Sequence, residues 1–283
     1  MRWPLDFHAA GLAAYTWSER PDLAERAEAL EPEVWPEYNL HSDVVGAYWG
    51  CLREAFSDFQ FVVVDEAAAD ELVAEGHSIP CGWDGTIEGL PAGIDAAIEG
   101  GVRFPGMGKR PTALCALAIE IRPSRQGAGL SSRMLQTMAA LGAAHGLADL
   151  IAPVRPSWKE RYPLTPIEHY AGWRRSDGLP FDPWMRVHAR LGGEVLRPEP
   201  RSLRITATVA EGERWTGRAF PESGEYTFPR GLAPLAIDRE DDRGTYHEPN
   251  VWMRHRLSLR TSPDVTEGLE RSQSKYDRDR RDG

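Results

Sequence analysis

The sequence predicts a mixed α/β (α+β) fold in which a largely antiparallel central sheet is flanked by helices. Apolar runs of strand length, bounded by acids or prolines, occur at 59–65 and 112–123. Apolar residues recur every three or four positions over 44–56 and 129–145, the spacing of amphipathic helices. Helices and adjacent strands come first and a strand–helix–strand unit follows, so both antiparallel and parallel pairing are expected.

The sheet is expected to begin with a short strand around Tyr15–Trp17. A helix start signal follows at Ser18 to Pro21, where a capping hydroxyl precedes a proline. The next helix spans 44–56, with Ser42 or Asp43 expected as its cap. These two helices are predicted to pack on the sheet.

The strand over 59–65 is expected to form a β-hairpin with residues 71–83. Glycine and proline are frequent over 84–111, which is predicted to be an irregular insertion with a short helical island at Ile94–Ile98. The apolar run 112–123 ends at a proline and is typical of a strand that is buried on both faces.

A second buried strand is predicted in "HGLADLIAPV", where Gly146 ends the helix that starts near Gly129. Residues 155–182 are rich in tryptophan, proline and arginine and are too interrupted for long helices. Helical spacing returns over 181–193, with Asp182 as the expected cap.

The C-terminal part is predicted to hold two more strands, "GEVLRP" and "SLRITATVAEGERW". We expect residues 1–215 to form the main domain, with 155–182 as an insertion. Residues 216–260 are expected to be an irregular extension packed on that domain, with a possible short strand in "RGLAPLAID". The polar residues 261–283 are expected to be a disordered tail.

Charge and composition exclude several classes of protein. A net charge of −10 over 283 residues argues against a general binder of nucleic acid or anionic membranes, because phosphate contacts need clustered Lys and Arg. Three widely spaced cysteines are expected to be free thiols. Without a signal-peptide core or a long apolar run, a cytoplasmic protein is expected. Scarce Lys beside abundant Arg and Ala indicates a GC-rich bacterial genome.

The stretch "RPSRQGAGLSSRML" at 122–135 has the features of a phosphate-binding loop. A buried strand ends at Pro123, and a helix starts near Gly129 with free N–H groups in its first turn. Gly127 and Gly129 leave room for an anion to approach the backbone. Small residues at this junction also serve packing alone, so both interpretations stay open at this point.

This stretch resembles the acyl-CoA signature of the GCN5-related N-acetyltransferase (GNAT) superfamily, Q/R-x-x-G-x-G/A after a strand that ends V-x-P. Gln126, Gly129 and Ser131 stand at the three motif positions, and Ser131 replaces the usual Gly or Ala. The resemblance covers about 115–195, extends to 15–83 and does not reach 216–283.

The resemblance implies acetyl-CoA or another acyl-CoA as co-substrate. Backbone groups of Ile119 and Ile121 would pair with pantetheine in a splay between two strands. The backbone around the motif would hold the pyrophosphate; its residues are Gln126, Gly127, Ala128, Gly129, Leu130 and Ser131.

His188 and Glu120 are the catalytic candidates. His188 occupies the position of the Tyr in the family's Y-x-x-L-G-F ending, so it is a candidate acid or base, with packing on a helix face as the alternative. Glu120 lies on the strand beside the implied thioester and is a candidate base, with an Arg salt bridge as the alternative. His77, His169 and Tyr170 are weaker candidates.

The insertion over 155–182 would lie near the acceptor. Its aromatic residues Trp158, Tyr162, Tyr170 and Trp173 could contact the acceptor or form the core of the segment. Metal ligands are conceivable in the acidic turn with Asp241, Asp242, His247 and Glu248, but a solvated turn is favoured and no metal is expected.

We therefore expect an acyl-CoA-dependent acyltransferase, an N-acetyltransferase in which a small-molecule amine attacks the thioester directly. The alternatives are transfer from an acyl carrier protein, transfer to oxygen, decarboxylation, or a non-catalytic acyl-CoA-binding module. A homodimer is possible. No nucleic-acid or membrane partner is expected.

Overall fold

One mixed sheet of nine strands organises the described residues. The computed structural model describes residues 11–27, 30–127 and 129–257. The strands are β1 (Leu12–Thr16), β2 (Gln60–Asp65), β3 (Glu71–Cys81), β4 (Ala113–Ile121), β5 (Asp149–Val154), β6 (Glu194–Ala207), β7 (Gly224–Tyr226), β8 (Leu235–Asp238) and β9 (Arg243–Arg256). The helices are α1 (Pro21–Ala27), α2 (Glu31–Val34), α3 (Val45–Ala55), α4 (Gly93–Arg103), α5 (Leu130–Ala144), α6 (Ile167–Tyr170), α7 (Pro183–Arg190) and α8 (Val209–Thr216).

The sheet is largely antiparallel, which confirms the predicted fold class. Strands β1 to β4 pair in sequence order, each antiparallel to the next. Only β4 and β5 pair in parallel, across the crossover helix α5. Strand β9 then pairs antiparallel with β5, β6 and β8.

Helices cover both faces of the sheet because β4 is apolar on both. Leu114 and Ala116 pack in the cluster that contains α5, whereas Cys115 and Leu117 pack with α3 and α4. Alternate residues of a strand point to opposite faces, so a continuous apolar run suits this position. The predicted helices over 44–56 and 129–145 are confirmed as α3 and α5.

Strands β4 and β5 separate after a short paired stretch. Their pairing covers only Ala113–Cys115 and Asp149–Ile151, so residues 116–121 of β4 continue without pairing to β5. The two strand ends therefore enclose a gap between them, at the edge where α5 begins.

Two segments, residues 84–111 and the region of β6 and α8, differ from the prediction. Residues 84–111 contain the eleven-residue helix α4 rather than an irregular insertion. A Cβ at Gly101 would lie 2.7 Å from Ile79 Cδ1, so this glycine serves close packing of α4 on the sheet rather than a turn. The two predicted strands "GEVLRP" and "SLRITATVAEGERW" form one strand, β6, which ends at Ala207. A Thr208–Glu211 capping box then starts α8.

The prediction of irregular structure over 216–260 is wrong. This region holds β7, β8 and the fourteen-residue β9, which lies between β5 and β6 in the sheet. Val251, Trp252 and Met253 are fully buried. The charged residues and the proline of "RGTYHEPNVWMRHR" concealed the strand pattern, because several of these polar groups are paired inside the protein.

The remaining expectations concern the ends, the cysteines and membranes. The first strand is β1, which starts earlier than predicted. All three cysteines are free thiols. The predicted disordered tail lies outside the described residues. No helix in the described ranges is long and apolar enough to cross a membrane.

Candidate active site

The gap between β4 and β5 opens into a cavity of about 630 Å³. At one end it is lined by the loop before α5, and at the other by the segment that contains α2 and the start of α3. Both predicted catalytic residues, Glu120 and His188, line this cavity. One continuous space therefore joins the expected cofactor loop to the candidate catalytic groups.

The cofactor end contains most of the residues that the motif singled out. Those that line the cavity are Ile119, Ile121, Gln126, Gly127, Leu130 and Ser131. Gly129 is not among the lining residues, and Ala128 lies outside the described residues. Helix α5 has no acid in its first turn, which leaves the positive end of the helix available to a phosphate.

The loop conformation requires its glycines. Gly127 has a φ of +86° and Gly129 a φ of +72°, a left-handed conformation that disfavours other residues. The Gln126 side chain donates a hydrogen bond of 3.0 Å to the Ile121 carbonyl. This carbonyl already accepts one hydrogen bond, and the pantetheine roles of Ile119 and Ile121 stay predictions.

Glu120 is fully buried and has an indole partner rather than an arginine. Trp35 Nε1 donates a hydrogen bond of 2.6 Å to Glu120 Oε1. Glu75 stands directly opposite Glu120 across β3 and β4. Burial raises the pKa of Glu120 to about 8, with Glu75 contributing in the same direction, while His77 and the Trp35 hydrogen bond oppose the rise.

His77 completes a buried group of titratable side chains. One ligand atom each from Glu75, His77 and Glu120 lies within 4.8 Å of the others. The His77 ring packs between Trp17 and Trp49, and burial lowers its pKa, which Glu120 and Glu31 counteract. Two carboxylates and an imidazole can hold a divalent cation or share protons. The expectation of a metal-free protein stays a prediction.

Glu31 is a second carboxylate at this end of the cavity, and the sequence motifs did not point to it. Trp49 Nε1 donates a hydrogen bond of 2.5 Å to Glu31 Oε1, and both residues line the cavity together with Trp35. Two carboxylates, Glu31 and Glu120, are thus each held by a tryptophan N–H. The tryptophans of "EPEVWPEY" and "GAYWG" were the available signal.

Arg155 and Glu248 form a buried ion pair beside the same end. Arg155 Nε lies 2.9 Å from Glu248 Oε1, and its Nη2 donates to the Tyr38 hydroxyl and the Arg230 carbonyl. Glu248 therefore has a cationic partner, and the acidic turn does not assemble as a metal site within the described ranges. Arg155 is the one Arg or Lys among the described residues that line the cavity.

His188 lies on α7 and is 2 % exposed. Its Nδ1 is 2.9 Å from His255 Nε2, and the Trp184 ring packs edge-on against it. Burial lowers the pKa of His188 well below its ordinary value, and His255 lowers it further. His188 is therefore neutral at neutral pH, and its role as acid or base stays a prediction.

The aromatic residues of the insertion pack in the core rather than line the cavity. Tyr162, Tyr170 and Trp173 contact one another and Phe181, and Trp158 packs edge-on against Phe181. None of the four predicted acceptor residues is among the described residues lining the cavity. The Tyr170 hydroxyl donates to buried Asp182, and His169 is an exposed residue outside the cavity.

Comparison with known proteins supplies the family. No family model matches the sequence. The arginine N-acetyltransferase avaD of Aspergillus versicolor is 30% identical over 277 residues, which cover 87% of this chain and 94% of that protein. The chain belongs to the GNAT superfamily. The loading GNATL domain of CurA from Lyngbya majuscula shares the fold, with a TM-score of 0.55 and 18% identity over 87% of this chain and 97% of that domain.

This GNAT protein is an acyltransferase with an acyl-CoA donor and a small-molecule amine acceptor, which confirms the predicted enzyme class. The relative is fungal, so it lends no support to the predicted bacterial origin. The cytoplasmic location, the homodimer and the domain boundaries stay predictions.

Proposed function

We propose that this GNAT enzyme transfers the acetyl group of acetyl-CoA to the α-amino nitrogen of arginine or a closely similar basic amino acid. The observation that carries the proposal is the cavity, which runs from the cofactor loop to the indole-held carboxylates Glu31 and Glu120. The similarity to an arginine N-acetyltransferase supports the same acceptor.

The charges along the cavity suit a basic amino acid. A guanidinium pairs well with a carboxylate such as Glu31, because its planar N–H groups match two oxygens. Arg155 offers a cation to the α-carboxylate, and its guanidinium lies 6.0 Å from the centre of the Trp35 ring, whose N–H holds Glu120. The Arg155 cation and the Glu120 carboxyl group therefore both lie beside the Trp35 ring.

The α-amino group is the expected nucleophile, because a guanidinium does not lose its proton in proteins. Glu120 takes a proton from the amine, whose lone pair attacks the thioester carbonyl carbon. The tetrahedral intermediate then collapses, the C–S bond breaks and CoA leaves as the thiolate. A cationic substrate beside Glu120 favours its ionised form, which offsets the effect of burial on its pKa.

The test is to incubate the protein with acetyl-CoA and arginine, agmatine, lysine or Nα-acetylarginine. Release of the CoA thiol measures the transfer, and mass spectrometry identifies the product. We expect acetylation of arginine at the α-nitrogen and no reaction of Nα-acetylarginine. Malonyl-CoA is assayed in parallel, and its decarboxylation without any amine product would overturn the proposal in favour of altered chemistry.

Glu31→Gln provides a second test. We expect a higher KM for arginine, by roughly tenfold for a lost charge pair, with the KM for acetyl-CoA unchanged. The control is Glu33→Gln in the same short helix, since Glu33 pairs with Arg122 and does not line the cavity. Equal KM values for the two variants would exclude the Glu31 contact.

A further inference from the structure

His255 lies beside the Nδ1 edge of the His188 ring. It lies near the end of β9 and is 6% exposed. The His188 Nδ1 and His255 Nε2 atoms are 2.9 Å apart, which is a hydrogen-bond distance. The sequence motif for acyl-CoA points to neither His255 nor this pairing.

The direction of this hydrogen bond follows from what else His255 contacts. Burial lowers the pKa of His255, and the Leu191 backbone carbonyl beside its ring opposes this shift as a hydrogen-bond acceptor. Nε2 faces His188, so the proton toward Leu191 belongs on Nδ1. A neutral imidazole has one N–H and one lone pair, and His255 Nε2 must therefore accept.

We propose that His255 is a positioning residue that holds His188 as the Nδ1–H tautomer and leaves a lone pair on His188 Nε2. Burial keeps both rings neutral at neutral pH. His188 Nε2 has no hydrogen-bond partner within the described residues, although the side chain lines the cavity. The Nε2 atom is itself buried, and its lone pair would pair with a ligand N–H that reaches it from the cavity.

Gly193 makes room for the pair. A Cβ at this position would lie 2.7 Å from the His188 carbonyl oxygen, 2.8 Å from His255 Cε1 and 2.9 Å from His255 Nε2, closer than real Cβ atoms approach. Glycine between α7 and β6 therefore permits the two imidazoles to meet. Trp184 restricts the His188 ring from another side.

The inference about catalysis rests on the proposed function. An Nε2 lone pair accepts a hydrogen bond from the attacking amine and orients it. It has no proton for the leaving thiolate, so His188 acts as an acceptor rather than as the general acid that the family tyrosine position implied.

The tautomer can be measured on the full-length protein without any substrate. Long-range ¹H–¹⁵N correlation spectra of ¹⁵N-histidine protein at neutral pH report which ring nitrogen is protonated. The His188→Gln spectrum assigns the signals among the eight histidines. We expect a protonated His188 Nδ1 and a bare Nε2, and a protonated Nε2 would overturn the proposal whatever the acceptor proves to be.

Two substitutions test the dependence on His255. His255→Gln keeps an acceptor near the Nε2 position and should keep the tautomer, whereas His255→Leu removes it and should give a mixture. We expect kcat of His255→Leu to fall roughly tenfold with the KM for acetyl-CoA unchanged, and His255→Gln to restore most of it.

An unaltered tautomer in folded His255→Leu would contradict the positioning role, as would equal loss of kcat in both variants. Should His255→Leu fail to fold, His255→Phe keeps a planar ring without an acceptor nitrogen, and the same spectra must then show a changed His188 tautomer.

Discussion

At the scale of single residues, the site depends on carboxylates placed where water does not reach. Glu120 lies opposite Glu75, is fully buried and has its pKa raised to about 8 by that burial. The sequence singled out Glu120 as a candidate base, with an arginine salt bridge as the alternative. The partner is Trp35, and its N–H orients one carboxylate oxygen and leaves the other for a proton.

The first prediction concerns catalysis by Glu120. Glu120→Gln keeps an oxygen for the Trp35 N–H but cannot take the amine proton, so kcat should fall roughly 100-fold with little change in the KM for acetyl-CoA. Steady-state kinetics provide the measurement. Glu71→Gln, outside the cavity, is the control, and a loss of less than about threefold at Glu120 would exclude it as the base.

The second prediction concerns stability and pH. The pKa of Glu120 rises from 4.5 to about 8 on folding, so the folded protein binds this proton more tightly than the unfolded chain. Between these pH values the contribution of Glu120 to the free energy of unfolding falls as pH rises. We expect Glu120→Gln to gain thermal stability over the native protein at about pH 8.5 but not at about pH 5, by about 2 kcal/mol. Thermal melts that differ equally at both pH values would contradict this.

At the scale of elements, helices α5 and α7 both contribute residues to the lining of the candidate site. The sequence predicted α5 and its loop because both signals are local: glycines at the turn and apolar residues at helical spacing. It also predicted α7 with Asp182 as cap, and Asp182 accepts hydrogen bonds from the Trp184 and Met185 backbone N–H groups. Helix α5 therefore begins next to Gly129 and helix α7 next to Asp182, as the sequence predicted.

The third prediction tests the phosphate role of the α5 N-terminus. Ser131→Glu introduces a negative charge into the cavity and should raise the Kd for CoA at least roughly tenfold, because it repels the pyrophosphate. Ser132→Glu is the matched control, since it adds the same charge in the same turn outside the cavity. Isothermal titration with CoA measures both, and equal affinities would refute the assigned site.

The fourth prediction concerns the cap of α7. Asp182 is 1% exposed and also accepts hydrogen bonds from Trp158 N and the Tyr170 hydroxyl. Asp182→Ala leaves these buried donors unpaired and should destabilise the protein by about 3 kcal/mol. Thr208→Ala at the exposed cap of α8 should cost only about 1 kcal/mol. Denaturant unfolding compares them, and equal losses would show that burial of the cap is unimportant.

At the scale of the whole molecule, the sheet extends across the domain boundary expected at residue 215. Strand β9 comes from beyond that boundary and pairs with β5, β6 and β8. It also supplies Glu248 to the cavity and His255 to the His188 ring. The fold and the site therefore both depend on residues that the family motif does not reach.

The fifth prediction follows from the position of β9. A chain ending at residue 215 lacks the strand that covers β5 and β6, so it should give no cooperative thermal transition. A chain ending at residue 260 is the control and should melt like the full chain. Circular dichroism provides the comparison, and a cooperative melt of the shorter chain would support an independent domain over 1–215.

The sequence by itself determined the family and predicted the cofactor loop with the helices and strands next to it, because these signals lie between residues that are close in the chain. Only the tertiary structure brought together the residues at the proposed acceptor end of the cavity. Trp35 meets Glu120 across 85 positions, Arg155 meets Glu248 across 93, and His188 meets His255 across 67. Contacts over such separations follow from strand order and burial, which leave no periodic pattern in the chain.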